Sequence, residues 1–520
     1  MTDSSHLTGA RAAVLARLWC ALVREPLPGI TDRHRDGDRI QIGWADGTQL
    51  RGPAAAAEPF TPAPTGLTLH YGSDGYRDPA ALVRVLPLGP LAGRLADELE
   101  NSVANLALAR SAVPRPDGGP PYLSRRPGLA EIEQCIVDGH PLHPLCRTRM
   151  GMSTEEVRRY APEHRPVVRL LVVKVPAHRW LSTGAGLPPR LPMHPWQYEH
   201  VLDRYPYLRP TGELIPARPL MSLRTVELVK TPQVHLKTAV DVQMTSAVRT
   251  VSAAAIHNGP AISAVLSRLA HGTGVQPAAE FTGGAVLVDD EPCPSLAVLR
   301  RHAPRLRDPA NGNGELALPL AALAAPSPAS GRPLLTELAD PEPEPFFAAL
   351  VGCLVPPPLR LLHRGVALEA HGQNTLLVLR DGWPDRLVYR DLGGIRLLPA
   401  RLRAAGGQLP AIHGDLRAEE PDQLQDKLFA ALVSTVLSEL VALMTREYGL
   451  EPARLWKQVA ATARGCFAQL AGSGSTGAGR DERALFGPTI AAKALTAMRL
   501  SDTPVRDIWV RQPNPLAGLG

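Results

Sequence analysis

The chain has 520 residues, 44% of them apolar and 20% charged, with a net charge of +6 at neutral pH. That length exceeds what one hydrophobic core usually serves, so two or three subdomains are expected. The cations are scattered with no Lys/Arg-rich tract, which argues against nucleic acid as a partner and for a cationic pocket holding an anionic small molecule.

The first segment, Arg11 to Val23, has the apolar run of a signal peptide. Arg17 interrupts that run and no small-residue cleavage site follows, so an amphipathic first helix is expected. Arg39 to Trp44 alternates as a strand. Asp97 to Ala112 reads as a helix, with Leu95, Leu99, Val103 and Leu106 at helical spacing. Glu131 to Val137 reads as a short helix before Gly139-His-Pro-Leu-His-Pro144. Pro166 to Val175 is a strand candidate. Val234 to Thr245 reads as one strand, with Leu236, Val240, Val242 and Met244 mostly on alternate positions. Arg249 to Ala270 follows as a helix.

Residues 305–345 are rich in Pro, Ala and Gly and include Asn311-Gly-Asn-Gly314, which marks a boundary or a long excursion. Pro345 to Leu354 reads as a helix that Pro356-Pro-Pro358 stops. Thr375 to Leu379 and Arg386 to Tyr389 form a hairpin pair around Asp381-Gly382. Asp422 to Glu447 is the clearest helix, ending at Gly449 in the position a C-terminal glycine favours. Its apolar stretch is broken by Ser434, Thr435, Ser438 and Glu439, so no membrane span is expected. The high Pro and Gly content, 53 and 45, predicts long ordered loops. Six cysteines stand far apart with no C-x-x-C, as expected of a reducing, cytoplasmic setting. No internal repeat is visible.

Two runs carry the chemistry. The first is Ser222-Leu-Arg-Thr225 with Lys237 and Thr245-Ser-Ala-Val-Arg249. Arg224, Lys237 and Arg249 are 13 and 12 residues apart, compatible with neighbouring strands and the start of a helix. Their side chains can converge on phosphate, Arg as a planar fork and Lys as a point charge, with the hydroxyls of Thr245 and Ser246 beside them. The second run is Glu369-Ala-His-Gly-Gln-Asn374 followed by Arg390-Asp391-Leu-Gly-Gly394. Gly372 would allow the backbone to approach a ligand closely, His371 can donate to a phosphate oxygen, and Asp391 is placed to hold Mg²⁺. Zinc is not expected at His140 and His143, since each is followed by Pro and no acid or thiol stands at ligand spacing. Gly472-Ser-Gly-Ser-Thr-Gly477 matches a dinucleotide-loop pattern but follows a helix-like segment, so it reads as a plain loop. Neither a P-loop nor a G-x-S-x-G motif occurs.

In this order, Gly139 to Pro144 with Arg147, Arg149 and Gly151, His194-Pro-Trp-Gln197, Ser222 to Thr225, Lys237, Thr245-Ser246, Arg249, His371 to Asn374, Asp391 and Lys493 to Leu500 resemble a known family. It is that of the siderophore synthetases that work independently of nonribosomal peptide synthetases, the aerobactin-synthetase-like IucA/IucC family. The resemblance implies an α+β fold shaped like a cupped hand: a thumb over 1–160, strand-bearing fingers over 161–340 and a helical palm over 341–520. It implies an ATP- and Mg²⁺-dependent ligase that adenylates a carboxylate such as citrate and joins it to an amine or hydroxyl, releasing AMP and pyrophosphate.

Carried over by position, Arg224, Lys237, Thr245, Arg249 and His371 contact phosphates. Ser222, Gln373 and Asn374 contact the nucleotide, with Thr225 and Ser246 in the same ATP-binding set. Asp391 and Glu369 stand at the Mg²⁺ end. His140, His143, Arg147 and Arg499 face the other substrates, and Arg249, His371 and Lys237 carry catalysis. Family members are commonly dimers, so a homodimer is implied, with small-molecule partners and neither nucleic acid nor membrane. Arg147 departs from the family, which often has Lys there, and the chain is somewhat short for it. The residues themselves leave two other readings open: a kinase-like phosphotransferase releasing ADP, and a nucleotide-binding regulator without turnover.

Overall fold

A computed structural model describes residues 4–64, 66–307, 314–472, 477–503 and 506–519. Its sheets are almost wholly antiparallel and most of its long helices lie toward the two ends of the chain, with Ala253–Ala270 between strands, an α+β arrangement. The helix Ser4–Arg24 lies against the helix Ala92–Ser111 and a five-stranded meander that starts at Ile30–Asp36 and ends at Asp74–Tyr76. Trp19, Leu69 and Leu99 are fully buried in that core, which also takes in Ala494 and Ala497 from near the C-terminus.

The middle of the chain builds an eight-stranded antiparallel sheet whose centre is Glu291–His302, Val234–Thr238, Thr225–Leu228 and Arg209–Pro219. The expected single strand from 234 to 245 is two. Thr238 still pairs across to Arg224, its N–H and its hydroxyl both 2.9 Å from that carbonyl, and the strand ends at Ala239. Val240–Met244 then leaves for a small sheet with Arg149–Met150 and Ala247–Arg249. The next helix, Ala253–Ala270, begins later than expected because Ser252 caps it, its Oγ accepting the Ala255 N–H at 3.2 Å. Arg249 therefore stays on a strand.

Residues 314–345 are no excursion. Glu315–Pro319 pairs with Thr375–Arg380, and Leu323, Leu334 and Leu335 are fully buried. The stretch Asn311 to Asn313, like Ser473 to Thr476, lies outside the described residues. Pro356-Pro-Pro358 starts a helix, Pro356–His363, directly after Pro343–Leu354, since Pro fits a first turn whose N–H groups have no partner anyway. The hairpin forms as expected, with Asp381 and Gly382 both at positive φ.

The helical run Pro421–Tyr448 contains a π segment, Leu432–Leu437, and ends at Gly449 with φ +67°. It is long and apolar enough to cross a membrane, as is Pro343–His363, but both are mostly buried in the molecule's own core. That core is the largest of the chain. It joins Ile262, Leu266 and Leu334 from before residue 340 to Phe346, Leu428, Val459 and Phe467 after it.

Candidate active site

The eight-stranded sheet, the small sheet with Arg149–Met150, the first helix and the Pro421–Tyr448 helix border a cavity of about 1580 Å³. One drug-sized ligand fills roughly 300–1,000 Å³, so this space suits several reactants at once. Ser222, Arg224, Thr225, Lys237, Thr245, Ser246, Arg249, Glu369, His371, Gln373, Asn374 and Asp391 all line it. The two chemical runs of the sequence, more than a hundred residues apart, therefore face each other across one space.

The cations are aimed by tight turns. Ser222 to Thr225 is a loop closed by Leu220 N–H to Thr225 O at 2.8 Å, with Leu223 in the left-handed region at φ +66° and its side chain buried. That conformation costs a branched residue about 1–2 kcal/mol. It turns Arg224 toward Arg249, and the Arg224 guanidinium donates to the Thr250 carbonyl. Burial, and then the neighbouring Arg249 charge, push Arg224 down to about 10. Lys237 lies opposite Thr225 in the sheet register and donates to Asp391 Oδ1 at 2.8 Å. Thr245, at φ +55°, and Ser246 make a two-residue hairpin turn, and Arg249 donates to the Thr245 hydroxyl.

The histidines follow one rule. The Nδ1 atoms of His140, His143 and His371 each accept the N–H two residues on, from Leu142, Leu145 and Gln373, at 3.1–3.2 Å. That leaves Nε2–H as the donor of each neutral ring. His143 directs it to Ser246 Oγ at 2.7 Å. Burial lowers all three from the ordinary imidazole value, His140 to about 3 and His143 well below it, which favours rings that donate without carrying charge. Gly372 serves packing: a Cβ there would lie 3.0 Å from the Ala321 backbone nitrogen, the same residue that bonds the Gly372 carbonyl. The close approach is to the chain itself.

Asp391 sits at φ +70° just past the hairpin. Burial alone would raise its carboxyl, but Lys237 and Arg224 outweigh that and hold it well below the usual carboxylate range. Oδ1 takes Lys237, and Oδ2 has no hydrogen bond among the described residues, so the side chain fits a hard cation that shares its shell with phosphate oxygens and water. Glu369 differs. Its Oε1 receives both Lys427 at 2.9 Å and Lys493 at 2.5 Å, and both lysines also pair with Asp507. Two ammonium groups on one oxygen oppose a divalent ion there.

Behind the wall lies a node that the sequence did not single out. Arg390 pairs with buried Glu133 at 2.6 Å and donates to the Gln373 carbonyl at 3.0 Å; Glu133 accepts the Met221 N–H at 2.9 Å. One ion pair thus ties the Ser222 loop to the His371 loop. Lys427 and Asp507 were also missed. The available signal was a lysine amid Leu424, Leu428 and Ala431, a stripe otherwise apolar.

Two of the substrate-facing arginines are committed elsewhere. Arg147 touches the cavity wall, but its guanidinium serves the Ile136 and Val137 carbonyls and Glu163. Arg499 is 4% exposed, pairs with Glu98 and bonds the Ser246 carbonyl at 2.9 Å, outside the lining. Both shape loops. His194 and Gln197 also lie outside, with Gln197 bridging Ser295 O and Asp241 N–H. The cluster Glu156, Glu199 and His200, the one metal-spaced trio among the described residues, is not in the cavity either.

The IucA / IucC family matches residues 128–185 and 189–325, and the family described as ferric iron reductase FhuF-like transporter matches 344–506. Staphyloferrin A synthase of Staphylococcus aureus is 26% identical over 435 residues, 75% of this chain and 73% of that protein. The D-ornithine–citrate ligase of the same organism is 24% identical over 474 residues, 74% of this chain and 69% of that protein. Among solved structures, the petrobactin biosynthesis protein AsbB of Bacillus anthracis superposes with a TM-score of 0.81 at 20% identity, covering 99% of this chain and 96% of that one. ATP-bound aerobactin synthetase IucA from Klebsiella pneumoniae superposes with a TM-score of 0.76 at 19% identity, covering 97% and 99%. These two likenesses are of fold.

Proposed function

We propose, from the premise that the chain belongs to the IucA/IucC family of siderophore synthetases, that it is an ATP-dependent ligase. It adenylates a carboxylate, citrate or a citrate derivative, and condenses it with an amine or hydroxyl to form an amide or ester. The carrying observation is that Arg224, Lys237 and Arg249 share one cavity with neutral His371 and ionised Asp391.

In the first step a carboxylate oxygen attacks the α-phosphorus of ATP and the bond to pyrophosphate breaks. Two anions must meet, and the three cations offset their repulsion most strongly where charge collects on the leaving pyrophosphate. Arg249 and the His371 Nε2–H span the incoming carboxylate and the α-phosphate. Ser222, Thr225, Gln373 and Asn374 hold the nucleotide, and Thr245 and Ser246 set the hairpin that aims Arg249. Mg²⁺ bound at Asp391 would neutralise phosphate charge. Glu369 anchors Lys427 and Lys493 instead. In the second step the nucleophile's lone pair attacks the acyl carbon, the bond to AMP breaks, and the nucleophile loses a proton.

The reading extends to the architecture of a thumb over 1–160, fingers over 161–340 and a palm over 341–520. It also places the enzyme in the cytoplasm as a homodimer acting on small molecules. The test is product analysis with ATP, Mg²⁺, citrate and a panel of amines. AMP and pyrophosphate in equal amounts, with an amide or ester of matching mass, are expected; ADP and orthophosphate would overturn the assignment.

A further inference from the structure

Seven acidic residues line the cavity among those described: Glu58, Asp138, Glu369, Asp391, Glu439, Glu447 and Asp507. Six have an ion-pair partner within 4 Å: Arg24, Arg110, Lys427, Lys237, Arg446 and Lys493 in that order. Glu439 has neither a hydrogen bond nor an ion pair among the described residues. The cations nearest to it are already engaged. Arg17 donates to the Pro141 and Ala13 carbonyls and pairs with Asp138, and Arg446 pairs with Glu447.

The helix is built to face Glu439 inward. Lys427, Ala431, Thr435, Glu439, Leu443 and Glu447, every fourth residue of Pro421–Tyr448, all line the cavity. In a plain α-helix such a row drifts about 40° around the axis at each step. The π segment Leu432–Leu437 has a wider turn that takes the row back the other way, so one face stays on the cavity throughout. The hydroxyls within it are satisfied locally, Thr435 on the Ala430 carbonyl at 3.0 Å and Ser438 on that of Val433 at 2.9 Å. From Lys427, beside Glu369, to Glu439 the helix rises roughly 18 Å. The first helix lines the same cavity with Ala12, Ala13 and Ala16, beside Arg17, whose charge reaches Glu439, and Phe60 lines it too.

We infer that this arm is a binding site for an alkylammonium group, with the Glu439 carboxylate as its counter-ion and the alanine face as the channel for its alkyl chain. The inference deepens the proposed ligase reading. It assigns the specificity for a nucleophile with a second, distal amine to a residue remote from the phosphate cations. Burial, only partly opposed by Arg17, holds the unliganded Glu439 carboxyl up at about 7, as befits an acid waiting for a countercharge. The ammonium can come from the free amine or from a carboxylate already carrying an aminoalkyl arm.

The test is calorimetric binding to the full chain, which needs no turnover. The probes are α,ω-diaminoalkanes of increasing length, n-alkylamines of equal length, and the ω-aminoalkyl monoamide of citrate. The wild-type chain should bind a diamine, or the monoamide, roughly ten- to hundredfold more tightly than the monoamine, the range for a charge-assisted hydrogen bond. Glu439→Gln should erase that preference, and Glu439→Asp should retain part of it. Preference for the free diamine assigns the site to the incoming amine; preference for the monoamide alone assigns it to the acyl partner. A wild type that binds neither the diamine nor the monoamide more tightly than the monoamine, or an undiminished preference in Glu439→Gln, would overturn the inference. Carboxylate-dependent pyrophosphate release, measured separately with hydroxylamine as the nucleophile, tests the ligase reading alone.

Discussion

Replacing Arg390 by Met removes the cation of the buried node while keeping most of its volume. Glu133 is fully buried and Arg390 4% exposed, so the carboxylate would be left without its partner in a site that water does not reach. Breaking such a pair from one side costs about 3–5 kcal/mol, a large part of the roughly 5–15 kcal/mol that holds a protein folded. The Gln373 carbonyl also loses its donor at 3.0 Å. Most of the penalty comes from the stranded charge, so the double variant Arg390→Met with Glu133→Gln should be more stable than the sum of the two singles by about 2 kcal/mol or more. The Gln keeps an acceptor for the Met221 N–H. Urea unfolding of the four proteins gives the coupling directly. ATP affinity, measured by calorimetry, should fall in Arg390→Met because both nucleotide loops lose their tie. Strict additivity of the two single losses would refute the reasoning.

Arg249→Ala should lower pyrophosphate release by about a hundredfold or more, the usual loss of one donor aimed at developing charge, as steady-state rates would show; a near-normal rate removes Arg249 from the chemistry. At buried Glu163, burial would raise the carboxyl, but Arg149 and Arg147 outweigh it and hold it at about 2, against an ordinary 4.5. A depressed folded value means stabilisation that is complete above 4.5 and lost as pH falls toward 2. Urea unfolding of Glu163→Gln should therefore show lower stability at neutral pH and a flatter profile across that window, and an unchanged slope would exclude the attribution. Gly139→Ala should destabilise the His140 loop, since φ is +69° and the new Cβ would lie 2.5 Å from the Cys146 carbonyl. A lower melting temperature with weaker ATP binding is the expected result, and wild-type values for both would show that the loop adapts.

Elements with one strong local signal were legible in the sequence. The first helix, the hairpin around Asp381-Gly382 and the Gly449 terminus each rest on chemistry within a few residues. The errors arose where a distant contact decided. The strand expected over 234–245 is split at Ala239 because Val240–Met244 finds its partner in distant Arg149–Met150, and no spacing rule foretells that. The prolines at 356–358 do end the helix at Leu354 as expected, and they also fill the first turn of a further helix that was not expected. At the site, the residues with phosphate-seeking chemistry were visible by type and order. Their supports were not: Glu133, Lys427 and Asp507 owe their roles to partners tens to hundreds of residues away. Arg147 and Arg499 show the converse, since a guanidinium that looks available in a sequence can already be saturated by carbonyls and a buried acid.

The apolar interior shared by Ile262, Leu266 and Leu334 with the helices after residue 343 bears on chimaera design. The two family matches meet between residues 325 and 344, the obvious crossover point for exchanging parts between relatives. A crossover there would graft one parent's helices onto another parent's packing partners. Hybrids joined ahead of Ala253 keep those partners together but divide the eight-stranded sheet, Val234–Thr238 from Glu291–His302, so each junction has its own mismatch to repair.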